Sequence, residues 1–264
     1  MQKKQGSLVC VGPGMTLGAH MSTRCKSLIE GADVVFSNCH PLMEQWISDM
    51  HPDVRSLQRF YAEHKDRRIT YREMLAEMLA EVRAGKRVVA AFYGHPGVFA
   101  RVPHQAIATA RAEGFDARME PGISAEDCLY ADMGIDPGYY GCQHYEASQV
   151  MFYRRQLDPS AYLILWQIAL AGDISIAKRL SSADERRILV SLLERHYPAE
   201  HQVALYECPT LITDRVRIEW LPLSELPTAD LTPVTTLVVP PSETMQPDEE
   251  TVQKIKQLNA TEIV

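Results

Sequence analysis

Short apolar runs closed by glycine and proline punctuate the first half of the chain. Ser7-Leu8-Val9-Cys10-Val11 ends at Gly12-Pro13-Gly14 and reads as a buried strand entering a tight turn. Residues 15–30 read as a helix, Gly31-Ala32-Asp33 stops it, and Val34-Val35-Phe36 is a second buried strand. Strand, helix and strand in that order predict a parallel pair with a right-handed crossover. Within residues 70–82, Met74, Leu75, Met78, Leu79 and Val82 recur at helical spacing, with Glu73, Glu77 and Glu81 turned mostly outward. Gly85 closes that helix. Residues 87–93 form the most convincing strand, broken by Gly94-His95-Pro96-Gly97. A helix over 102–112 and a strand around 117–119 follow. After the breaker Pro121-Gly122, Ser124-Ala125-Glu126 opens another helix, with Ser124 placed to cap it.

Four alternations of strand and helix before residue 120 predict an α/β fold. Beyond residue 138 the pattern loosens. Strands are expected at 161–166, 202–206 and 234–239, helices near Ala177 and over 186–197, and a hairpin-like stretch spotted with proline at 216–227. The tail is polar and acidic before a helix over 249–258. This predicts α/β domains at 1–120 and 121–242, with an appendage at 243–264.

Composition narrows the classes. Apolar residues make up 46% and charged residues 23% of the 264, an ordinary globular mixture. A net charge of −7 argues against a nucleic-acid substrate. No window approaches the roughly 20 apolar residues of a membrane span, and no targeting stretch follows Met1. Six scattered cysteines without a CxxC pair point to reduced thiols and a cytoplasmic protein, and no zinc-ligand spacing suggests a metal.

Candidate chemistry gathers where strands end. Gly12-Pro13-Gly14 could touch a nucleotide or be a plain turn, since Gly18 falls at the wrong spacing for a dinucleotide fingerprint. Tyr93-Gly94-His95-Pro96-Gly97-Val98-Phe99 lies at the carboxyl end of a buried strand, where open α/β sheets hold ligands, and Pro121-Gly122-Ile123-Ser124-Ala125 repeats the arrangement. If a helix begins near Asp66, Arg67 and Tyr71 share one face, and a guanidinium there favours the phenolate. Facing solvent, the same residues are only a charged surface. Gln167, ending a strand after Trp166, could bond a flat heterocycle or be satisfied by backbone; the hydroxyls of Thr235 and Thr236 are equally ambiguous.

These loops, with Trp166-Gln167, resemble the tetrapyrrole methylase superfamily over about residues 7–240, and most closely its borosin peptide α-N-methyltransferases. Gly94-His95-Pro96 stands where corrin and porphyrin methylases usually carry Gly-Asp-Pro, and Tyr61, Arg67 and Tyr71 match the borosin branch. The resemblance implies two α/β domains of the class III methyltransferase type with S-adenosylmethionine in the cleft between them and S-adenosylhomocysteine as product. It implies a pocket of Tyr93, His95, Val98, Ser124, Ala125, Gln167, Thr235 and Thr236. It also places Tyr61, Arg67, Tyr71 and Tyr93 around the reacting amide, with Arg68 as the rival guanidinium. The polar end, Lys256-Gln257-Leu258-Asn259-Ala260-Thr261-Glu262-Ile263-Val264, is unlike the apolar core peptide of fused members. The split bacterial type is therefore expected: a homodimer acting in trans on a precursor peptide, as a heterotetramer with two peptides. The rival readings are a tetrapyrrole or corrin C-methyltransferase, an rRNA ribose methyltransferase, and a non-catalytic peptide- or S-adenosylmethionine-binding module.

Overall fold

The computed structural model describes residues 5–62, 65–174 and 180–261. The first half builds five parallel strands: β1 (Ser7–Val11), β2 (Val34–Asn38), β3 (Val54–Ser56), β4 (Arg87–Phe92) and β5 (Asp116–Glu120). Their order across the sheet is β3-β2-β4-β1-β5. The connecting helices are α1 (Thr23–Glu30), α2 (Pro41–Met50), α3 (Arg67–Arg83) and α4 (Arg101–Ala112). Leu8, Cys10, Phe36 and Ala90 pack with α3 and α4, and Val9, Val11, Val35 and Ala91 pack with α1 and α2. Burial on both faces explains why these strands read as continuous apolar runs.

A helix α5 (Ala125–Met133) leads into α6 (Pro137–Tyr140), β6 (Cys142–Glu146), α7 (Ala147–Phe152) and β7 (Tyr162–Trp166). Then come α8 (Ala183–Leu193), β8 (Gln202–Glu207), β9 (Arg217–Pro222), β10 (Thr236–Val239) and α9 (Glu249–Thr261). The second sheet runs β6-β7-β10-β8-β9, parallel at β6–β7 and antiparallel elsewhere. No helix among the described residues is long and apolar enough to cross a membrane.

Two sheets with flanking helices agree with the α/β expectation; several boundaries differ. The helix expected over 15–30 begins only at Thr23, where Ser22 caps it by accepting from Cys25 N at 3.1 Å. Residues 15–22 form a loop instead, with Gly18 at φ +79°. The helix expected over 186–197 is shifted to Ala183–Leu193 by a reciprocal Ser182–Glu185 capping box. The stretch 216–227 is one strand pairing with β8, followed by a 3-10 turn, Leu223–Thr228. The helix expected near Ala177 lies outside the described residues. Short elements α2, β3, α6, β6 and α7 went unforeseen.

The carboxyl edge of the first sheet is built on missing side chains. A Cβ on Gly12 would lie 2.2 Å from Gly94 O and 2.9 Å from Gly122 Cα; one on Gly122 would lie 2.4 Å from Gly12 O and 2.5 Å from Gly94 O. The loops after β1, β4 and β5 thus cross in backbone contact. Gly14 and Gly94 also exchange backbone hydrogen bonds at 3.2 and 2.9 Å. Gly12→Ala or Gly122→Ala is expected to lower the unfolding free energy by about 3 kcal/mol. Gly31→Ala, at φ −89° with its nearest contact at 3.2 Å, should cost about 1 kcal/mol or less. Urea unfolding of the three variants measures the difference.

Candidate functional site

At this edge the structure brings Tyr61, Arg67, Tyr71 and Tyr93 together. Tyr93 follows β4 directly. Tyr61 ends a 3-10 turn, Gln58–Phe60, that is pinned on two sides. Gln58 Nε2 donates to Cys39 O at 3.2 Å beyond β2, and Thr70 Oγ1 donates to Phe60 O at 3.2 Å from α3. Asp66 caps α3 by accepting from Arg68 N at 2.7 Å, which places Arg67 and Tyr71 on its first two turns.

The two arginines separate clearly. Arg68 is exposed and its guanidinium is held by Asp66 at 2.7 Å. Arg67 is half-buried, and among the described residues no carboxylate pairs with it. Its field falls instead on Tyr61 and Tyr93. Burial pushes the Tyr61 phenol above the usual value of 10.0, Tyr71 adds to the rise, and the Asn38 amide and Arg67 pull against it. Tyr93 is likewise raised, first by desolvation and then by Tyr71 and Cys39, with Arg67 opposing. Tyr93 exposes 60% of its surface. A ring can be wetted along one side while protein crowds the phenol from the other, so both facts hold.

Sequence reasoning missed Asn38. It ends β2 opposite Phe92 in β4, and its Oδ1 is buried without a hydrogen-bond partner among the described residues. A polar residue at the carboxyl end of a parallel strand was the available signal.

The expected pocket residues divide. His95 folds back so that its Nδ1 accepts from Gly97 N at 2.9 Å, which shapes the loop; Val98 lies half-buried beyond it. Ser124 Oγ caps α5 by accepting from Asp127 N at 3.2 Å while donating to Asp127 Oδ2 at 2.7 Å, and Ala125 begins that helix. Thr235 is fully buried and donates to Glu207 Oε1 at 2.5 Å. Burial would raise the Glu207 carboxyl, but bonds from Thr235, Thr232 and Arg217 hold it below the usual range. The hydroxyls of Ser124 and Thr235 are therefore committed within the protein. Thr236 opens β10 and is buried opposite Tyr206. Gln167, just beyond β7, sits at φ 56°.

The halves meet here. Phe99, at φ 49°, places its ring 5.3 Å from that of Trp166. Phe99 and Gln167 are the two non-glycine residues with positive φ among the described residues, a conformation costing roughly 1–3 kcal/mol each that persists only where neighbours impose it. On the other flank, Leu17 N donates to Thr210 O at 2.9 Å and Thr16 Oγ1 to Pro209 O at 3.2 Å. A cavity of about 530 Å3 lies between that loop, α5 and Cys208-Pro209; Gly122 and Ile123 line it, and none of the four clustered residues does.

Three comparisons bear on this arrangement. The family model described as Tetrapyrrole (Corrin/Porphyrin) Methylases matches residues 7–218. The chain is 36% identical over 269 residues to a methyltransferase/ribosomally synthesized cyclic peptide gymnopeptides precursor from Gymnopus fusipes, covering 99% of this chain and 64% of that protein. It is 39% identical over 226 residues to a methyltransferase/type I borosin cyclic peptide precursor from Coprinopsis marcescibilis, covering 84% and 58%. It therefore spans about three-fifths of the length of these relatives. The uroporphyrin-III-C-methyltransferase structure from Thermus thermophilus superposes with a TM-score of 0.65 at 17% identity, covering 93% of this chain and 99% of that one, which shows a shared fold.

Arg67→Ala is expected to raise the titration points of Tyr61 and Tyr93 further above 10.0, because it removes the positive charge that opposes burial. Arg68→Ala should leave both unchanged. Ring-labelled tyrosine NMR across alkaline pH reads the two outcomes.

Proposed function

The chain belongs to the tetrapyrrole (corrin/porphyrin) methylase family, and from that membership and its cluster of phenols around one guanidinium we infer that it methylates backbone amide nitrogens of a ribosomally made peptide. The observation that carries this reading is Arg67, without a carboxylate partner among the described residues and acting on Tyr61 and Tyr93. The printed names of the fungal relatives, each a methyltransferase joined to a cyclic peptide precursor, support the choice of a peptide acceptor.

The residues present suit S-adenosylmethionine. A sulfonium is attracted to the face of an aromatic ring, and Tyr93 offers an exposed ring at the strand end. Gln167, whose side-chain amide has no hydrogen bond among the described residues, suits the edge of an adenine. Tyr93, His95, Val98, Ser124, Ala125, Gln167, Thr235 and Thr236 would hold the cofactor, Ser124 and Thr235 through backbone and packing because their hydroxyls are engaged. When bound, the cofactor supplies an electrophilic methyl group.

The chain's own work is on the amide. An amide nitrogen is a poor nucleophile because its lone pair is delocalised into the carbonyl. Tyr71, as its phenolate beside Arg67, takes the N–H proton as the general base and becomes the neutral phenol. The negative charge that moves to the amide oxygen is met by Arg67 and by a phenol of Tyr61 or Tyr93. Both phenols titrate above 10.0, so at neutral pH each keeps its proton and can donate it in a hydrogen bond. Holding the nitrogen about 3–3.5 Å from the methyl carbon supplies much of the remaining acceleration.

Incubation with S-adenosylmethionine and a separate candidate precursor peptide should add CH2 mass increments to that peptide, with fragmentation placing them on backbone nitrogens. Tyr71→Phe and Arg67→Ala should each reduce the rate by at least about 100-fold while leaving cofactor affinity within about threefold. A Tyr71→Phe variant that turns over normally removes Tyr71 as the base. Label found only on the enzyme's own chain overturns action in trans.

A further inference from the structure

The second sheet and α5 carry a hydrogen-bond chain that the chemistry above does not use. Trp166 Nε1–H donates to His144 Nδ1 at 3.0 Å. A neutral imidazole accepting there carries its proton on Nε2. That nitrogen lies 2.6 Å from the Tyr130 hydroxyl, which donates onward to Glu126 Oε1 at 3.2 Å. Indole, imidazole, phenol and carboxylate thus form a directional series from β7 through β6 to α5. The His144 ring lies beside the indole in nearly the same plane, with centroids 6.0 Å apart and planes 18° apart, as that in-plane hydrogen bond requires. The indole also meets Phe99, the residue after Val98 in the loop following β4.

We propose that His144 is a positioning residue: in its neutral form it fixes the Trp166 indole against Phe99 and so holds the 93–99 loop in the shape that receives the cofactor. This rests on the cofactor reading above. The left-handed backbone at Phe99 and Gln167, on either side of the aromatic contact, needs that restraint from its neighbours.

Protonation breaks the series at a known point. An Nδ1 that carries a proton cannot accept from the indole. The groups facing His144 are Glu126 and Tyr130 from α5, Trp166 from β7, and Cys142 beside Tyr130 on its own strand. Burial lowers the His144 pKa below 6.5, while Glu126 opposes the shift. The neutral form therefore predominates above 6.5, and the restraint is lost as pH falls through the lowered pKa.

The test uses the full chain with Trp46→Phe and Trp220→Phe, leaving Trp166 as the one indole. Its emission and the calorimetric dissociation constant for S-adenosylmethionine are measured between about pH 7.5 and 5. Both should change together as pH falls. His144→Asn, whose Oδ1 replaces Nδ1 as acceptor, should keep the neutral-pH emission and affinity but lose the pH response. His144→Gln, which reaches Tyr130 and not the indole, should shift the emission and weaken cofactor binding about five- to tenfold at neutral pH. In turnover, that weakening should appear in the cofactor KM and not in kcat. Equal behaviour of the Asn and Gln variants overturns the proposal, as does an emission change with no change in affinity. Failure of the unsubstituted protein to bind the cofactor overturns the functional reading and the cofactor part of this one, while the emission still decides whether His144 sets the indole.

Discussion

Three polypeptide loops leave one sheet edge through a space that admits no Cβ at Gly12 or Gly122. That steric fact decides where everything else in the site can stand. Because the loops after β1, β4 and β5 touch backbone to backbone, Tyr93 just before the crossing and Ser124 just after it start from fixed points. A parallel sheet aims its strand ends at one side. The crossing turns that common direction into a compact platform, and Gly94, at φ +67°, gives the loop its bend.

Charge is arranged against this platform by contrast. Arg59 and Arg68, on either side of Arg67 in sequence, are neutralised by Glu77 and Asp66. Arg67 acts on Tyr61 and Tyr93 alone among the groups whose shifts are resolved. A half-buried guanidinium without a carboxylate partner among the described residues costs desolvation energy, and such an arrangement suits a site that meets developing negative charge. The same burial that is unfavourable for Arg67 keeps the two phenols protonated. One environment thus sets donors and cation side by side, and Tyr71, on the same helix as Arg67, acts on both phenols as well.

The first sheet was legible because its strands are buried on both faces and end in glycine or proline; boundaries fell within a residue or two at β1, β4 and β5. The second was less so. Cys142-Gln143-His144-Tyr145-Glu146 has no apolar alternation, since this edge strand is only half-buried along its length, and β6 stayed invisible. The helix read over 15–30 failed because periodicity cannot weigh a tertiary tie: the loop there is held by Thr210 and Pro209, almost 200 residues away. In the site, Arg67 and Tyr71 could be placed on one face from the Asp66 cap alone. Whether that face met Tyr93 could not, because it depends on β2 and β4 being neighbours and on the turn before Tyr61 being pinned between the end of β2 and α3. Asn38, Phe99 and His144 escaped for a related reason. Each matters through a partner distant in sequence.

The junction between the sheets shows how these observations connect. Helix α5 leaves the glycine platform of the first sheet but buries Leu129 with Ile164, Trp166 and Tyr206 of the second, and its Asp132 accepts from Tyr206 Oη at 2.8 Å. The platform and the second sheet are therefore coupled through one short helix that also carries Glu126 and Tyr130. A shift of α5 would move the Ser124 loop, the carboxylate at the end of the His144 series and the bed of Trp166 together. The loop after β5 and the end of β7 consequently share one mechanical support. The strained backbone at Phe99 and Gln167 lies where the two sides close on each other, which is where small errors in that support would be felt first.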